Sequence, residues 1–351
     1  MNQAEATASA RIALVSFDSL GDGLIYLMIA ANLQKNGFDL TLYGNIAYQM
    51  REWLPSLKIR PYPPKEQMEA ELAAYDLAIV SPPSFIRTEM DEATTARLRE
   101  KWLLICQKAP QSWYFDHRSQ GSGIRDQGSG VRDSLGPEKF HQLQQLLDSS
   151  GSIRFREFGD ESVVAMTLEY LREKMQLENV CKQPPVIAPE GLQYRRMEKR
   201  IVVSPDSAGP EKKNWHPAAF LNVCHRLQAL GFTPEIVVAP NNHSFWEKMA
   251  GGKFATPRFD DIAKLAAYLY ESGVVVANDS GNGHLASFLG IPVVTIYRKK
   301  NPLFHWRPDW KPGIVICPPF SLPGWSASLW KYLIRPATVV AAVERLQRSP
   351  D

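Results

Sequence analysis

The sequence predicts an α/β protein of two domains, each built around a parallel sheet. Short apolar strands alternate with amphipathic helices in both halves of the 351-residue chain, which is typical of parallel sheets covered by helices. The length suits two domains of about 150 residues each. We divide the chain into a first domain (1–180), a linker rich in proline and polar residues (181–198), a second domain (199–335) and a C-terminal helix (336–351) that packs back on the first domain. The two sheets are expected to face each other across a ligand-binding cleft.

The first half reads as a βαβ unit followed by further strands. An apolar strand over 11–17 leads through the turn D-S-L-G-D-G into a helix over 24–35 and a second strand over 39–43. A third strand is predicted over 77–80 and a weaker one over 101–105. Such a succession favours a parallel sheet.

The second half repeats this alternation. Its predicted strands cover 201–204, 235–239, 273–277 and 293–297, and its predicted helices cover 217–230, 262–271 and 283–289. Gly290 is expected to end the last of these helices. The adjacent acids Asp260 and Asp261 directly precede a helix and are therefore interpreted as an N-terminal cap and not as a metal pair. No metal site is predicted.

Charge and cysteine content narrow the class of protein. The chain has 40 Lys and Arg against 37 Asp and Glu, a formal net charge of +3, so we expect no nucleic-acid partner and only local basic surfaces. The four cysteines form no C-x-x-C pair, which predicts free thiols in a reducing compartment (Cys106, Cys181, Cys224 and Cys317). The sequence shows neither a membrane-spanning apolar run nor a signal-peptide pattern. We expect a cytoplasmic protein, with peripheral contact at a membrane surface left open.

A tandem repeat interrupts the first domain. The chain reads Q-G-S-G-I-R-D and then Q-G-S-G-V-R-D between residues 120 and 133, a composition that cannot build a packed core. We predict a flexible loop over about 119–136. One interpretation is a linker without function, and the other is that Arg118, Arg125 and Arg132 present positive charge to an anionic acceptor.

The turn at residues 278–284 (N-D-S-G-N-G-H) is the strongest candidate ligand contact. It follows a buried strand and opens a helix. In a parallel sheet such a turn lies where ligands bind, and the helix start offers free N–H groups to an anion. His284 alone reads more readily as a core or capping histidine than as a catalytic one.

A second loop, residues 204–215, leaves the first strand of the same domain. Ser204, Ser207 and Gly209 make backbone N–H groups accessible, and Lys212 and Lys213 add positive charge, which suits a diphosphate. A solvated lysine pair is the alternative interpretation. The aromatic and basic segment 301–310 is predicted either to stack on a base or sugar or to fill the seam between the domains.

In the first domain, L-G-D-G at residues 20–23 follows a strand end. The third glycine of a dinucleotide fingerprint is replaced by Tyr26, so an NAD-dependent oxidoreductase is disfavoured. Asp22 is interpreted either as a first-turn acid favoured by the helix dipole or as a general base.

Together these motifs resemble glycosyltransferase family 9, which includes the ADP-heptose:lipopolysaccharide heptosyltransferases. The resemblance rests on L-G-D-x-L at 20–24, K-x-W-x-x-x-x-F at 213–220 and N-D-S-G-x-x-H-L-A-x-x-L-G-x-P-V-V at 278–294. It implies a GT-B architecture of two Rossmann-like domains. The first binds the acceptor, the second binds the nucleotide sugar, and no cofactor or essential metal is needed.

The resemblance also implies roles for individual residues. Asp22 would be the general base and Asp279 the acid that holds hydroxyls of the donor sugar. Lys213, or Lys212 if the count runs forward from Gly209, would neutralise the leaving diphosphate. The remaining donor-site residues would be Ser204, Ser207, Gly209, Ser280, Gly281 and His284, and the acceptor-site residues would be Gly21, Gly23, Arg118, Arg125 and Arg132.

The implied function is inverting transfer of a heptose from ADP-heptose to a lipopolysaccharide core, an anionic glycolipid or oligosaccharide, at the cytoplasmic face of the inner membrane. The residues after Tyr297 depart from the family pattern, which leaves two alternatives open. One is a family-9-like transferase with another nucleotide sugar or acceptor, and the other is a non-catalytic sugar-nucleotide-binding protein.

Overall fold

A computed structural model describes residues 10–17, 19–80, 102–104, 137–148, 161–298, 306–311, 313–320 and 329–348. The chain divides into two compact units, one of Met1–Phe158 and Met166–Pro185 and the other of Gly159–Ala165 and Val186–Asp351. Each unit contains one five-stranded parallel sheet. The prediction of an α/β protein with two parallel sheets is therefore confirmed.

The sheet of the first unit has the strand order β3-β2-β1-β4-β5. Its strands are β1 (Arg11–Val15), β2 (Asp39–Tyr43), β3 (Lys58–Arg60), β4 (Leu77–Val80) and β5 (Trp102–Leu104). Its helices are α1 (Leu20–Lys35), α2 (Asn45–Gln49), α3 (Lys65–Ala73), α4 (Pro137–Asp148) and most of α5 (Val163–Glu173). The order reverses between β1 and β4, so the turn after β1 lies at a topological switch point, where open α/β sheets bind ligands.

The sheet of the second unit has the order β10-β9-β8-β6-β7. Its strands are β6 (Met197–Ser204), β7 (Thr233–Ile236), β8 (Ser272–Asn278), β9 (Val293–Ile296) and β10 (Ile314–Ile316). Its helices are α6 (Pro210–Lys213), α7 (Pro217–Ala229), α8 (His243–Ala250), α9 (Ile262–Tyr270), α10 (Gly281–Phe288), α11 (Trp330–Leu333) and α12 (Pro336–Arg348). Here the switch point lies between β6 and β8.

The C-terminal helix α12 belongs to the second unit. Its apolar residues Val339, Val340 and Val343 are buried in the same core as Ile201 of β6 and Phe220 of α7. The helix α12 is thus part of the core of the second unit, and its packing on the first domain stays a prediction. The sequence shows the apolar stripe of α12, but a stripe does not say which sheet will cover it.

The later part of the predicted linker is bonded to the second unit. The backbone N–H of Arg195 donates to Tyr270 O at 2.9 Å, and that of Met197 donates to Glu271 O at 2.8 Å. Beside them the strands β6 and β8 approach closely: a Cβ on Gly273 would lie only 1.8 Å from Glu198 O. The unit boundary thus falls near Pro185, within the predicted linker.

Two smaller predictions also hold. Cys181, Cys224 and Cys317 are free thiols, and burial raises the pKa of the Cys224 thiol to about 12. Asp261 is the N-cap of α9 and accepts a hydrogen bond from the Lys264 N–H at 2.7 Å, which holds the pKa of Asp261 below its usual value. Cys106 lies outside the described residues.

Candidate functional site

Asn278, the last residue of β8, connects the two strand ends at the switch point of the second unit. Its Oδ1 accepts a hydrogen bond from the Trp215 backbone N–H at 3.1 Å, and its Nδ2 donates to the backbone carbonyl of Pro205. Asn278 is fully buried. The side chain therefore fixes both ends of the 205–215 loop, which lies between β6 and α7.

A second amide holds the start of this loop. The Nδ2 of Asn282 donates to the Ser204 hydroxyl at 2.9 Å. Ser204 is itself fully buried at the end of β6, so the hydroxyl predicted to contact the donor is used to join β6 to the first turn of α10.

The loop folds into one short helix that positions Lys213. The Ser207 hydroxyl bonds to Asn214 Oδ1 at 2.5 Å and accepts from the Gly209 N–H at 3.3 Å. Gly209 is the N-cap of α6, and Gly209 O accepts from the Lys213 N–H at 2.8 Å. Pro210 occupies the first position of α6, where a backbone N–H would have no acceptor within the helix, so the missing N–H of proline costs no hydrogen bond.

The aromatic residues of the K-x-W-x-x-x-x-F motif anchor this segment in the core. Trp215 and Phe220 are buried and pack edge to face, with ring centroids 5.2 Å apart. The Trp215 indole N–H donates to Lys331 O at 2.7 Å. The motif thus combines two packing residues with one exposed lysine.

Lys213 and Asp279 form an ion pair at the switch point. Lys213 Nζ lies 2.8 Å from Asp279 Oδ2, with the lysine side chain 46% exposed and the aspartate side chain 20% exposed. Lys212 is exposed, and within the described part of the chain its side chain pairs with no acid. The two lysines that the sequence leaves open therefore differ, and Lys213 is the one held beside Asp279.

The first turn of α10 carries two buried polar atoms without a hydrogen-bond partner among the described residues. They are Ser280 Oγ and His284 Nδ1. Ser280 is the N-cap of α10 and His284 lies one turn into the helix, so both groups belong to its N-terminal face. Gly281 begins the helix between them. Buried polar groups normally have partners, so this face is suited to a polar ligand.

His284 is held neutral in this site. Burial, and then the nearby charge of Lys213, lower the pKa of His284 to about 4. The ring packs edge to face against Trp306 and Trp310, at centroid distances of 6.0 and 5.9 Å. A neutral imidazole can offer one N–H and one lone pair to a ligand.

The described part of the segment 301–310 therefore contacts this turn. Tyr297, at the end of β9, donates its hydroxyl to Trp306 O. Burial and the charge of Asp279 raise the pKa of Tyr297 well above its usual value. Residues 301–305 lie outside the described residues.

In the first unit, Ser19 and Asp22 form a mutual cap at the start of α1. The Ser19 hydroxyl donates to the Asp22 carboxylate and accepts from the Asp22 N–H at 3.4 Å. Gly23 packs beneath Ile46, whose Cβ would lie 3.0 Å from a Cβ at position 23. Gly21 is half-buried on the same turn. Asp22 thus lies at the switch point of its own sheet with one carboxylate oxygen bonded to Ser19.

The structure does not describe the remaining predicted site residues. Arg118, Arg125 and Arg132, and the repeat loop about 119–136, lie outside the described residues. Within the described residues, no group of three His, Cys, Asp or Glu side chains could hold a metal ion. The same residues contain no helix that is long and apolar enough to cross a membrane.

Sequence reasoning did not single out Asn278, Asn282, Ser19 or Trp306. Asn278 stands inside the strongest motif, so its position was visible, but its partners lie 63 and 73 residues away along the chain. Ser19 is found by the usual signal for a helix N-cap, a serine directly before the helix.

Comparison with known proteins identifies a family whose model matches part of this chain. The family model for glycosyltransferase family 9 (heptosyltransferase) matches residues 173–317. A comparison with the sequences of curated proteins gave no match.

Three solved structures are similar along nearly their whole length. The family 9 glycosyl transferase from Veillonella parvula DSM 2008 has a TM-score of 0.65 and 16% identity, covering 96% of this chain and 97% of that one. The E. coli ADP-heptose lps heptosyltransferase II has a TM-score of 0.61 and 15% identity, with 96% and 98% covered. The E. coli heptosyltransferase WaaC, solved with ADP, has a TM-score of 0.59 and 16% identity, with 96% and 99% covered. At these identities the likeness concerns the fold.

Proposed function

We propose that this chain is a member of glycosyltransferase family 9, whose family model matches residues 173–317, and that it moves a heptose from ADP-heptose to a hydroxyl of a lipopolysaccharide core. The observation that carries the proposal is the Lys213–Asp279 pair, 2.8 Å apart at a switch point. Beside it lie Ser280 Oγ and His284 Nδ1, which have no hydrogen-bond partner in the described part of the chain. The site combines an ammonium for phosphate with a carboxylate for sugar hydroxyls.

The second unit is proposed to bind the donor. Lys213, the Ser280 hydroxyl and the N–H groups at the start of α10 would contact the diphosphate, because a helix N-terminus and a lysine both stabilise an anion. Asp279 would accept hydrogen bonds from the heptose hydroxyls. The carboxylate and the ammonium then hold the two ends of the bond that breaks.

The first unit is proposed to supply the base. Asp22 would take the proton of an acceptor hydroxyl as that oxygen attacks the anomeric carbon and the bond to the diphosphate breaks, so that ADP leaves and the configuration inverts. Lys213 would stabilise the charge that develops on the leaving group. No metal or cofactor is required in this scheme, since lysine and helix N–H groups neutralise the diphosphate.

The proposed acceptor is an anionic glycolipid or oligosaccharide. This places the reaction at the cytoplasmic face of the inner membrane, reached by peripheral contact. The net charge of +3 is too small to attract nucleic acid in general but permits local arginines to meet acceptor phosphates.

Thermal shift with a panel of nucleotide sugars tests the donor. A ligand that binds only the native state raises the apparent stability, so ADP-heptose should raise Tm more than UDP-glucose or GDP-mannose. Transfer to purified lipopolysaccharide core, followed by mass spectrometry with EDTA present, tests the reaction. Preference for another nucleotide sugar would support the alternative transferase, donor binding without turnover would support a binding protein, and loss of transfer in EDTA would contradict metal independence.

A further inference from the structure

The Lys213–Asp279 ion pair occupies both groups that the proposed function assigns to the donor. Lys213 Nζ and Asp279 Oδ2 are 2.8 Å apart, which is the length of a charge-assisted hydrogen bond. Both groups are positioned by the backbone, since Lys213 ends α6 and Asp279 directly follows the buried Asn278. In this structure, each group is therefore the counter-ion of the other.

Two neighbouring polar side chains, in contrast, form no hydrogen bond at one of their polar atoms within the described residues. Ser280 Oγ and His284 Nδ1 are buried without partners among the described residues, and His284 is only 4% exposed. Lys213 is close enough to His284 for its charge to affect the imidazole. A diphosphate that enters here meets polar groups without partners among the described residues, but a lysine that is already paired with a carboxylate.

We infer that Asp279 and the diphosphate compete for Lys213, and that this competition promotes release of the nucleoside diphosphate after sugar transfer. The inference rests on the proposed function. When the intact donor binds, the pair separates, with Lys213 moving to the diphosphate and Asp279 bonding to sugar hydroxyls. Both charges then have partners.

Transfer removes one of these partners. Once the sugar has left with the acceptor, Asp279 has no hydroxyls to hold. The carboxylate then regains a partner only by taking Lys213 back from the diphosphate. Asp279 thus favours the complete donor over the bare nucleoside diphosphate.

The experiment measures ADP binding by calorimetry to the full chain and its variants. Asp279→Asn should bind ADP roughly two- to fivefold more tightly than the wild type, as expected when a partly exposed opposing charge is removed. The inhibition constant of ADP as a product should fall by the same factor. Lys213→Met should bind ADP more weakly.

A double-mutant cycle separates competition from general electrostatics. In the Lys213→Met background, Asp279→Asn should change ADP affinity much less, because there is no longer a lysine to release. Inorganic pyrophosphate in place of ADP should give the same pattern, since the effect concerns the diphosphate.

Glu344→Gln is the matched control for loss of one negative charge. Glu344 pairs with Arg348 on α12 at 3.1 Å, and Gln347 of the same turn donates to Glu198 O at 2.6 Å, near the start of β6. This is the end of β6 opposite to Ser204, far along the strand from the proposed donor site, so the control should leave ADP affinity unchanged. Asp279→Ser serves as a second neutral variant if Asp279→Asn lowers Tm.

The outcomes are distinct. Unchanged or weaker ADP binding by both neutral variants would overturn the inference while the wild type still binds ADP. Equal tightening with and without Lys213 would also overturn it. A wild type that binds neither ADP nor ADP-heptose would contradict the proposed function itself.

Discussion

Asn278 and Trp215 are joined by a hydrogen bond of 3.1 Å between the buried carboxamide oxygen and the backbone N–H. The same carboxamide donates to Pro205 O. One side chain at the end of β8 therefore determines the path of the loop that carries Lys213. The position of the proposed phosphate lysine depends on a residue that has no charge.

Replacing Asn278 by alanine should destabilise the second unit. The change leaves the Trp215 N–H and the Pro205 carbonyl without partners, and each buried unsatisfied group costs about 1–3 kcal/mol. Urea unfolding measures the change in free energy, and calorimetry should show weaker ADP binding. Asn222→Ala is the control, because Asn222 is exposed on α7 and its side chain bonds, among the residues that the structure describes, only to Arg226. A loss at Asn278 as small as that at Asn222 would show that the carboxamide does not hold the loop.

The two neighbouring lysines should differ in their effect on the reaction. Lys213→Met should lower kcat/KM by roughly 10²- to 10³-fold, as expected for loss of one group that stabilises a leaving charge. Lys212→Met removes the same charge one residue earlier, where the side chain is exposed, and should change kcat/KM less than about threefold. Steady-state kinetics with ADP-heptose compares the pair. Equal losses would mean that the total positive charge of the loop matters more than the position of Lys213 beside Asp279.

The strands and turns at the two switch points could be predicted because apolar runs end in small polar residues. The site itself could be predicted less well. The helix α6 has only four residues (Pro210–Lys213), which is too short to show a helical period. The strands β3 and β10 have three residues each and were missed for the same reason.

Side-chain partners distant in sequence were not predictable. The bonds from Asn278 to Trp215 and from Asn282 to Ser204 join residues more than sixty positions apart, and a single sequence contains no sign of such pairings. Ser204 shows the consequence. It stood in a loop suited to phosphate, but its hydroxyl accepts a hydrogen bond within the protein.

Changes at the start of α1 should separate chemistry from donor binding. Asp22→Asn should lower kcat by roughly 10²- to 10⁴-fold, the usual contribution of a general base, while ADP-heptose affinity stays within about twofold of the wild type. Ser19→Ala should cost about 1 kcal/mol of stability through the lost cap and lower kcat moderately, because the Asp22 carboxylate loses the hydroxyl that orients it. Ser19→Thr keeps a hydroxyl and should restore both. Full activity of Asp22→Asn would exclude this residue as the base.

His284 should make the stability of the second unit depend on pH below neutrality. Burial and the charge of Lys213 lower the pKa of His284 from its ordinary 6.5 to about 4, so between these values the unfolded chain binds a proton that the native state does not. Above about pH 6.5 the imidazole is neutral in both states and does not reduce the free energy of unfolding. As the pH falls toward 4, the free energy of unfolding decreases by up to about 3 kcal/mol. Urea unfolding at pH 7.5 and pH 5.0 measures the difference. His284→Asn should reduce that difference, whereas the same substitution at His141, exposed on α4, should leave it unchanged. An equal pH dependence in wild type and His284→Asn would show that the proton is taken up elsewhere.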